Sequence, residues 1–198
     1  MSSAERQFVA TDMAKCVGCG LCQLACAIQN ERTLDATKAR IKVVHLTPLA
    51  CLAVACHLCE DAPCVRACPR DALTQTETGI ILVDDEKCDT CGWCIEACPY
   101  GAIVMDPERK TVLICDLCGE EEPKCVEFCP TEAIMLVTEE EYRKNTFSSM
   151  ASIFTEAKQV LERGAWQLLL AKAVDVEKKV EEKLRELARW AGELGLTP

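Results

Sequence analysis

The chain has 198 residues and a formal net charge of −10, with 22 lysines and arginines against 32 aspartates and glutamates. A nucleic-acid binder needs clustered basic side chains to neutralise phosphates, so this composition argues against nucleic acid as a partner. Hydrophobic residues make up 49% of the chain, as in an ordinary globular protein, but seventeen residues are cysteine. In a short secreted chain such a cysteine content would indicate a disulfide scaffold.

The segment ahead of the first cysteine has no apolar core of signal-peptide length and no twin-arginine motif. The longest nearly uncharged apolar run, residues 49–56, is far shorter than the roughly 20 residues that span a bilayer. We therefore expect a cytoplasmic protein without a membrane span of its own. Since disulfides are rare in the cytoplasm and the cysteine total is odd, metal binding is the favoured use of these thiols.

All cysteines except Cys51 fall into four groups of four along the chain. The first and third groups have the spacing C-x2-C-x2-C-x3-C, in which three thiolates hold one iron–sulfur cube and the fourth reaches another. The second and fourth groups lengthen the middle gap to four and six residues. The groups are Cys16, Cys19, Cys22 and Cys26; Cys56, Cys59, Cys64 and Cys68; Cys88, Cys91, Cys94 and Cys98; and Cys115, Cys118, Cys125 and Cys129.

The groups belong to an internal repeat. Three of them end in Cys-Pro and continue with similar sequences, CPRDAL, CPYGAI and CPTEAI, whereas Ala27 follows the first group. Short β-rich strings such as FVAT, GIILV and KTVLI lead into cysteine loops, and a short helical turn is expected to follow each loop. Each unit has the form of half a ferredoxin, so four units predict two modules and four 4Fe-4S clusters.

Other uses of the same thiols are less consistent with the spacing. A C-x2-C pair also opens structural zinc sites and thioredoxin-type redox pairs. Zinc needs only two separated pairs and requires neither a C-x2-C-x2-C run nor a proline after the fourth ligand. A structural zinc scaffold remains the alternative from a different functional class. Cys51 is expected to be a buried small hydrophobic residue, and His45 and His57 are expected to be packed or surface residues and not metal ligands.

From about residue 138 the composition changes to Glu, Lys, Ala and Leu, which is typical of helices. Apolar residues at helical spacing predict two amphipathic helices joined near Gly164. The first stripe contains Ile153, Ala157, Val160 and Leu161, and the second contains Leu169, Ala173, Val176, Val180, Leu184, Leu187 and Ala191. The pattern leaves open whether these stripes pack on the cysteine-rich part, on each other or on a partner.

In its cysteine groups, including their unequal middle gaps, the chain resembles the four-cluster ferredoxin-like electron-transfer subunits of molybdenum or tungsten pterin oxidoreductases, of the dimethyl sulfoxide reductase iron–sulfur subunit type. The resemblance covers about residues 6–138. It implies an α+β fold with two nested bacterial-ferredoxin-like modules and a C-terminal helical extension. The implied double domain covers residues 1–138, and the implied extension covers 139–198. Within the double domain, the inner module covers about 48–105, and the outer module covers about 1–47 plus 106–138.

The resemblance also implies nested ligation, in which each cluster takes its fourth cysteine from another group; spacing alone also allows a sequential pairing. Ligand set 1 is Cys16, Cys19, Cys22 and Cys129; ligand set 2 is Cys56, Cys59, Cys64 and Cys98; ligand set 3 is Cys88, Cys91, Cys94 and Cys68; ligand set 4 is Cys115, Cys118, Cys125 and Cys26. Because Cys94 is present where some relatives hold a 3Fe-4S cluster, four 4Fe-4S clusters are expected. Trp93 is expected to shield its cluster from water.

The function implied is the relay of single electrons, without independent catalysis. The expected partners are a catalytic oxidoreductase subunit, with a tungsten or molybdenum pterin enzyme favoured, and a further electron carrier or subunit. A carbon monoxide dehydrogenase or a hydrogenase is the alternative catalytic partner. We therefore expect a hetero-oligomer that functions in anaerobic metabolism.

Overall fold

The computed structural model describes residues 6–47, 50–119, 121–146 and 166–196. Eight strands lie in these ranges: β1 Gln7–Thr11, β2 Lys42–Thr47, β3 Ala50–Val54, β4 Leu73–Gln75, β5 Ile81–Val83, β6 Val104–Asp106, β7 Thr111–Leu113 and β8 Ile134–Thr138. The helices are α1 Leu21–Glu31, α2 Pro63–Arg66, α3 Trp93–Ala97, α4 Lys124–Glu127, α5 over 139–146 and α6 Trp166–Glu193. The predicted α+β class is confirmed.

The strands form four separate two-stranded antiparallel sheets. Three are local hairpins, β2–β3, β4–β5 and β6–β7, whereas β1 pairs with β8 and so joins residues 7–11 to residues 134–138. The β2–β3 and β6–β7 hairpins cross the module boundaries expected at 47/48 and 105/106, because they pair Val43 with Ala53 and Val104 with Leu113. The two-module division therefore remains a prediction.

Each of the first four helices carries the third cysteine of its group, namely Cys22, Cys64, Cys94 and Cys125. Helices α2, α3 and α4 are only four or five residues long. They end ahead of a Cys-Pro step, where proline disfavours helical geometry in the preceding residue. Helix α1 has no such proline, because Ala27 follows Cys26. It runs past Cys26 to Glu31 and is 11 residues long.

The main hydrophobic core surrounds the cysteines instead of excluding them. Seven of the grouped cysteines are buried within it, namely Cys22, Cys26, Cys56, Cys64, Cys94, Cys115 and Cys125. Aliphatic residues from several strands pack around these thiols, among them Val9 of β1, Leu73 of β4 and Ile81 of β5. The strands therefore supply apolar packing, and the loops and helices between them supply the sulfur atoms.

Helix α6 packs against this cysteine-rich part. The predicted second helix is present as one helix of 28 residues. Of its predicted apolar stripe, Leu187 and Ala191 are 1% and 3% exposed, whereas Leu184 is 47% exposed. Leu187 and Ala191 join Leu21, Ala25 and Ile28 of α1 and Phe128 in a second core. The ring of Phe128 stacks on Trp190 at 5.4 Å.

The other predicted helix, with Ile153, Ala157, Val160, Leu161 and the junction at Gly164, lies outside the described residues.

Many charged side chains interrupt the apolar stripe of helix α6. Within the described part of the chain, no helix is both long enough and apolar enough to cross a membrane.

We expect Leu187→Ala to lower the free energy of opening of α6 by about 2–5 kcal/mol, because it leaves a cavity in the second core. Leu184→Ala on the same helix is the matched control, since Leu184 is 47% exposed and its loss should cost less than about 0.5 kcal/mol. Hydrogen exchange of the α6 amides measures both values. Equal losses in the two variants would show that α6 does not pack on α1 as described.

Candidate iron–sulfur sites

The residue before the second cysteine has the same unusual backbone conformation in all four groups. It is left-handed at Gly18, Leu58, Thr90 and Leu117, with φ values of 69°, 47°, 56° and 61°. For a residue other than glycine this conformation costs roughly 1–2 kcal/mol. The same cost recurs at three equivalent positions, which indicates that each C-x2-C loop is shaped to turn its two thiols toward a common point.

The last cysteine of each group accepts a backbone N–H bond at sulfur. In the three Cys-Pro groups the donor lies four residues later, with N···S distances of 3.3 Å for Ala72 to Cys68, 3.4 Å for Ala102 to Cys98 and 3.2 Å for Ala133 to Cys129. In the first group α1 continues past Cys26, and the N–H of Arg40 donates instead, at 3.3 Å. Such bonds stabilise negative charge on a ligand sulfur and raise the reduction potential of a bound cluster.

The thiols converge from different groups, not within one group alone. Cys129 lines one cavity with Cys16, Cys19 and Cys22. In a second cavity, the neighbours of Cys98 are Cys56, Cys59 and Cys64. The thiol of Cys94 has Cys88 and Cys68 as neighbours, and Cys26 lies beside Cys115, Cys118 and Cys125. These neighbours are the members of ligand sets 1 to 4, apart from Cys91, which follows Cys88 in the same loop.

Burial makes these thiols poor acids when no cation is near. It raises the pKa of Cys56 and of Cys115 to about 12 and that of Cys94 to about 11, and neighbouring thiols add to the effect. Burial also raises the pKa of Cys22 and Cys125. Thiolate is the form that binds metal, so a cationic group must displace these protons. The donor set therefore fits a buried group containing several iron ions.

All seventeen cysteines are free thiols, so none is paired in a disulfide. In the described ranges, no three His, Cys, Asp or Glu side chains converge on the position of a single metal ion.

The four sets differ in depth. Cys19 of ligand set 1 and Cys91 of ligand set 3 are exposed, whereas Cys115 and Cys125 of ligand set 4 are 8% and 5% exposed. Cys125 is close enough to Cys22 for their charges to interact, so sets 4 and 1 are neighbours. Cys115 is likewise close enough to Cys56 for their charges to interact, so sets 4 and 2 are also neighbours. Helices α2 and α3 pack together and join sets 2 and 3.

One important residue has no signal in the cysteine spacing. Arg40 donates its N–H to Cys26, and its guanidinium pairs with Asp116 at 2.7 Å and with Glu31 at 3.2 Å. Asp116 lies within the C-x2-C loop of the fourth group, so Arg40 connects that loop to α1.

Asn30, one helical turn after Cys26, donates to the sulfur of Cys26 at 3.5 Å. The i, i+4 spacing of these two residues in the sequence could have predicted this contact.

The residues outside the four groups behave partly as expected. Cys51 is buried, and its Sγ lies 3.1 Å from Nδ1 of His45. His57 packs between the rings of Phe8 and Tyr100. Trp93 is 59% exposed, and the shielding of a cluster by its ring stays a prediction.

We expect Arg40→Gln to lower the reduction potential of the centre at ligand set 4, because it removes a cation beside Cys26 and Asp116. A loss of about 1.4 kcal/mol of interaction with the added electron corresponds to about 60 mV. Redox titration followed by electron paramagnetic resonance measures the shift. Arg66→Gln is the control, since Arg66 pairs with Asp61 on the surface and its charge is screened. An equal shift in both variants, or a rise in Arg40→Gln, would contradict this role.

Comparison with known proteins gives a consistent result. Residues 48–139 match the family description "4Fe-4S dicluster domain", which includes the second, third and fourth cysteine groups. A putative electron transport protein of Escherichia coli, YsaA, is 38% identical over 152 residues, which cover 70% of this chain and 94% of that protein. The polyferredoxin-like subunit of an aliphatic sulfonate oxidoreductase from Pyrococcus furiosus is 42% identical over 139 residues, covering 68% of this chain and 79% of the relative.

A third relative covers more of the chain at lower identity. The thiosulfate reductase electron transfer subunit PhsB of Salmonella typhi is 28% identical over 181 residues, which span 85% of this chain and 93% of that subunit. The family match, the two relatives above 30% identity and the converging thiols agree on the cofactor class and on the ferredoxin-like fold. This chain belongs to the family of 4Fe-4S dicluster electron-transfer proteins.

Proposed function

We propose that the chain is the electron-transfer subunit of an oxidoreductase complex and holds four 4Fe-4S clusters. The observation that carries this proposal is the convergence of fifteen of the sixteen grouped cysteines into four sets, each of which combines two sequence groups; Cys91 follows Cys88 in the loop of set 3. Each bound cluster supplies one electron-accepting and electron-donating centre. The protein supplies its ligands, its hydrogen bonds and its separation from water.

The ligands are proposed to be nested as ligand sets 1 to 4. The neighbouring thiols described above support this pattern over a sequential one. The β1–β8 pairing supports it as well, because it holds the loops of the first and fourth groups next to each other. Sets 1 and 4 then belong to the outer module, and sets 2 and 3 to the inner module.

The contacts between sets support a linear order of 1, 4, 2 and 3. Three of the four thiols of set 4 are buried, and sets 1 and 2 are its neighbours, whereas the exposed cysteines Cys19 and Cys91 belong to sets 1 and 3. Electrons would enter and leave at the two sets that reach the surface, and the buried sets between them would keep each transfer step short. The two ends can therefore serve two different partners.

Backbone and side-chain groups set the potential of each step. The N–H groups of Arg40, Ala72, Ala102 and Ala133 each donate to a ligand sulfur. Each of these bonds favours the reduced, more negative state. Burial opposes them, since an added negative charge is poorly solvated in the core. The Arg40 cation favours reduction at ligand set 4 more than at the other sets.

The proposed catalytic partner is a tungsten or molybdenum pterin oxidoreductase, with a further carrier or subunit at the opposite end. The support comes from relatives that are named as subunits of a sulfonate oxidoreductase and a thiosulfate reductase. A carbon monoxide dehydrogenase or hydrogenase is the alternative partner. The complex is proposed to be a cytoplasmic hetero-oligomer.

A double-variant experiment distinguishes nested from sequential ligation. If Cys16 and Cys129 bind the same cluster, then Cys16→Ala, Cys129→Ala and the double variant should each lose about four of about sixteen iron atoms, and the same paramagnetic signal. Cys16→Ala combined with Cys98→Ala is the control, because these residues belong to different sets and should lose about eight. Anaerobic iron analysis and electron paramagnetic resonance give both readouts.

Sequential ligation gives the opposite result. Cys16 and Cys129 would then bind different clusters, and their double variant would lose as much iron as the control. That outcome would overturn the nested arrangement and leave the presence of iron–sulfur clusters unchallenged.

A further inference from the structure

The surface at ligand set 3 exposes apolar side chains beside an exposed cysteine. Trp93 follows the exposed Cys91 by two residues, and it is 59% exposed. Met105 of β6 is 39% exposed, and its Cε lies 3.9 Å from the position that a Cβ on Gly92 would take. We call Cys91, Gly92, Trp93 and Met105 the set 3 face. It places an aromatic ring and a thioether next to a thiol of the set.

The backbone holds the ring of this face in place. Trp93 is the first residue of α3, and the N–H groups of Ile95 and Glu96 both donate to the carbonyl oxygen of Gly92, at 2.9 and 3.2 Å. Single exposed apolar residues are common on proteins. Tryptophan is enriched at the energetic centres of protein interfaces, since one side chain buries a large area there. A tryptophan fixed beside a redox centre is therefore suited to contact another protein.

The charged residues near set 3 leave an excess of carboxylates. Each lysine or arginine within three residues of a cysteine of this set already has an acidic partner: Arg66 pairs with Asp61 at 2.7 Å, Arg70 with Asp89 at 2.9 Å and Lys87 with Asp84 at 2.8 Å. Asp85 pairs with Arg109 at 3.1 Å. Three exposed carboxylates in the same stretches have no ion pair in the described part of the chain, namely those of Asp71, Glu86 and Glu96.

The other end of the chain of centres differs in this respect. Residues 17–25, between the first and last cysteines of the first group, include no charged side chain. The loop from Cys88 to Cys98 contains Asp89 and Glu96 and no basic residue. The two ends therefore favour partners of different surface charge, and set 3 favours a basic one.

We propose that the set 3 face docks an electron-transfer protein whose redox centre lies behind an apolar surface ringed by lysine and arginine. The proposal rests on the proposed function, because that function makes set 3 a terminal centre. The apolar surface of the partner covers Trp93 and Met105, and its basic ring faces the three unpaired carboxylates. These charges speed the encounter and fix the orientation of the partner. Each transfer oxidises one centre and reduces the other by one electron, with no bond or proton exchanged.

The test is electron transfer from the full chain to a protein probe of known surface charge. The chain is isolated without oxygen, its iron content is measured, and it is reduced and freed of excess reductant. The probes are oxidised cytochrome c, whose haem edge is ringed by lysines, and the same protein with its lysines succinylated. Stopped-flow absorbance gives the second-order rate of haem reduction. At low ionic strength we expect native cytochrome c to react at least about tenfold faster, and added salt to reduce the difference.

Variants test the apolar contact. Trp93→Ser should lower the rate with native cytochrome c about tenfold, because it removes the side chain at the centre of the contact. Leu46→Ser is the matched control, since Leu46 is 58% exposed and lies on β2, whose Val43 lines the cavity of set 1. Its rate should equal that of the unchanged chain.

A second pair of variants tests the charges. Glu86→Gln combined with Glu96→Gln should lower the rate about threefold at low ionic strength and weaken its salt dependence. Glu177→Gln combined with Glu182→Gln changes the net charge equally, at two exposed residues of α6, and should have little effect. Iron content per chain shows whether any variant has lost its clusters.

Three results would overturn the proposal. One is succinylated cytochrome c reacting as fast as the native protein. Another is equal rates in the two members of either variant pair. The third is a dimer in sedimentation that Trp93→Ser converts to a monomer, because a second copy of the chain would then cover the face. A chain that cannot be loaded with iron or reduced would instead contradict the proposed function, so the two failures are distinguishable.

Discussion

The structure depends on how buried sulfur is stabilised. Seven grouped cysteines lie in the main core, at positions that aliphatic side chains occupy in most proteins of this size. Burial keeps such thiols protonated, and their mutual repulsion opposes ionisation further. Iron binding reverses this balance, since each thiolate then faces a cation. Folding and cluster binding are therefore expected to be strongly coupled.

The remaining architecture serves the same thiols. Short strands and helices place two cysteines in a loop and a third on a helix, and the fourth then lies beside thiols of another group. Left-handed residues such as Leu58 and Thr90 accept a backbone cost to make these loops. Helix α6 contributes no ligand; Leu187 and Ala191 cover α1, which carries Cys22 and Cys26.

The sequence predicted the local features well, because they are set by spacing along the chain. The short helices, the strands before the loops and the helix with Leu187 and Ala191 were all identified in this way. Features that depend on distant contacts were not. Arg40 lies 14 residues from Cys26 and 76 from Asp116, so no local pattern relates it to either. The exposure of Trp93 also depends on packing that its position between two cysteines does not reveal.

The central claim is that this chain conducts electrons through iron–sulfur centres for a separate catalyst. Elemental analysis of the native complex, isolated without oxygen, tests it most directly. We predict about sixteen iron atoms per copy of this chain beyond those of the catalyst, together with tungsten or molybdenum. Nickel without either metal would favour the alternative partner class. Zinc in place of iron would contradict the account.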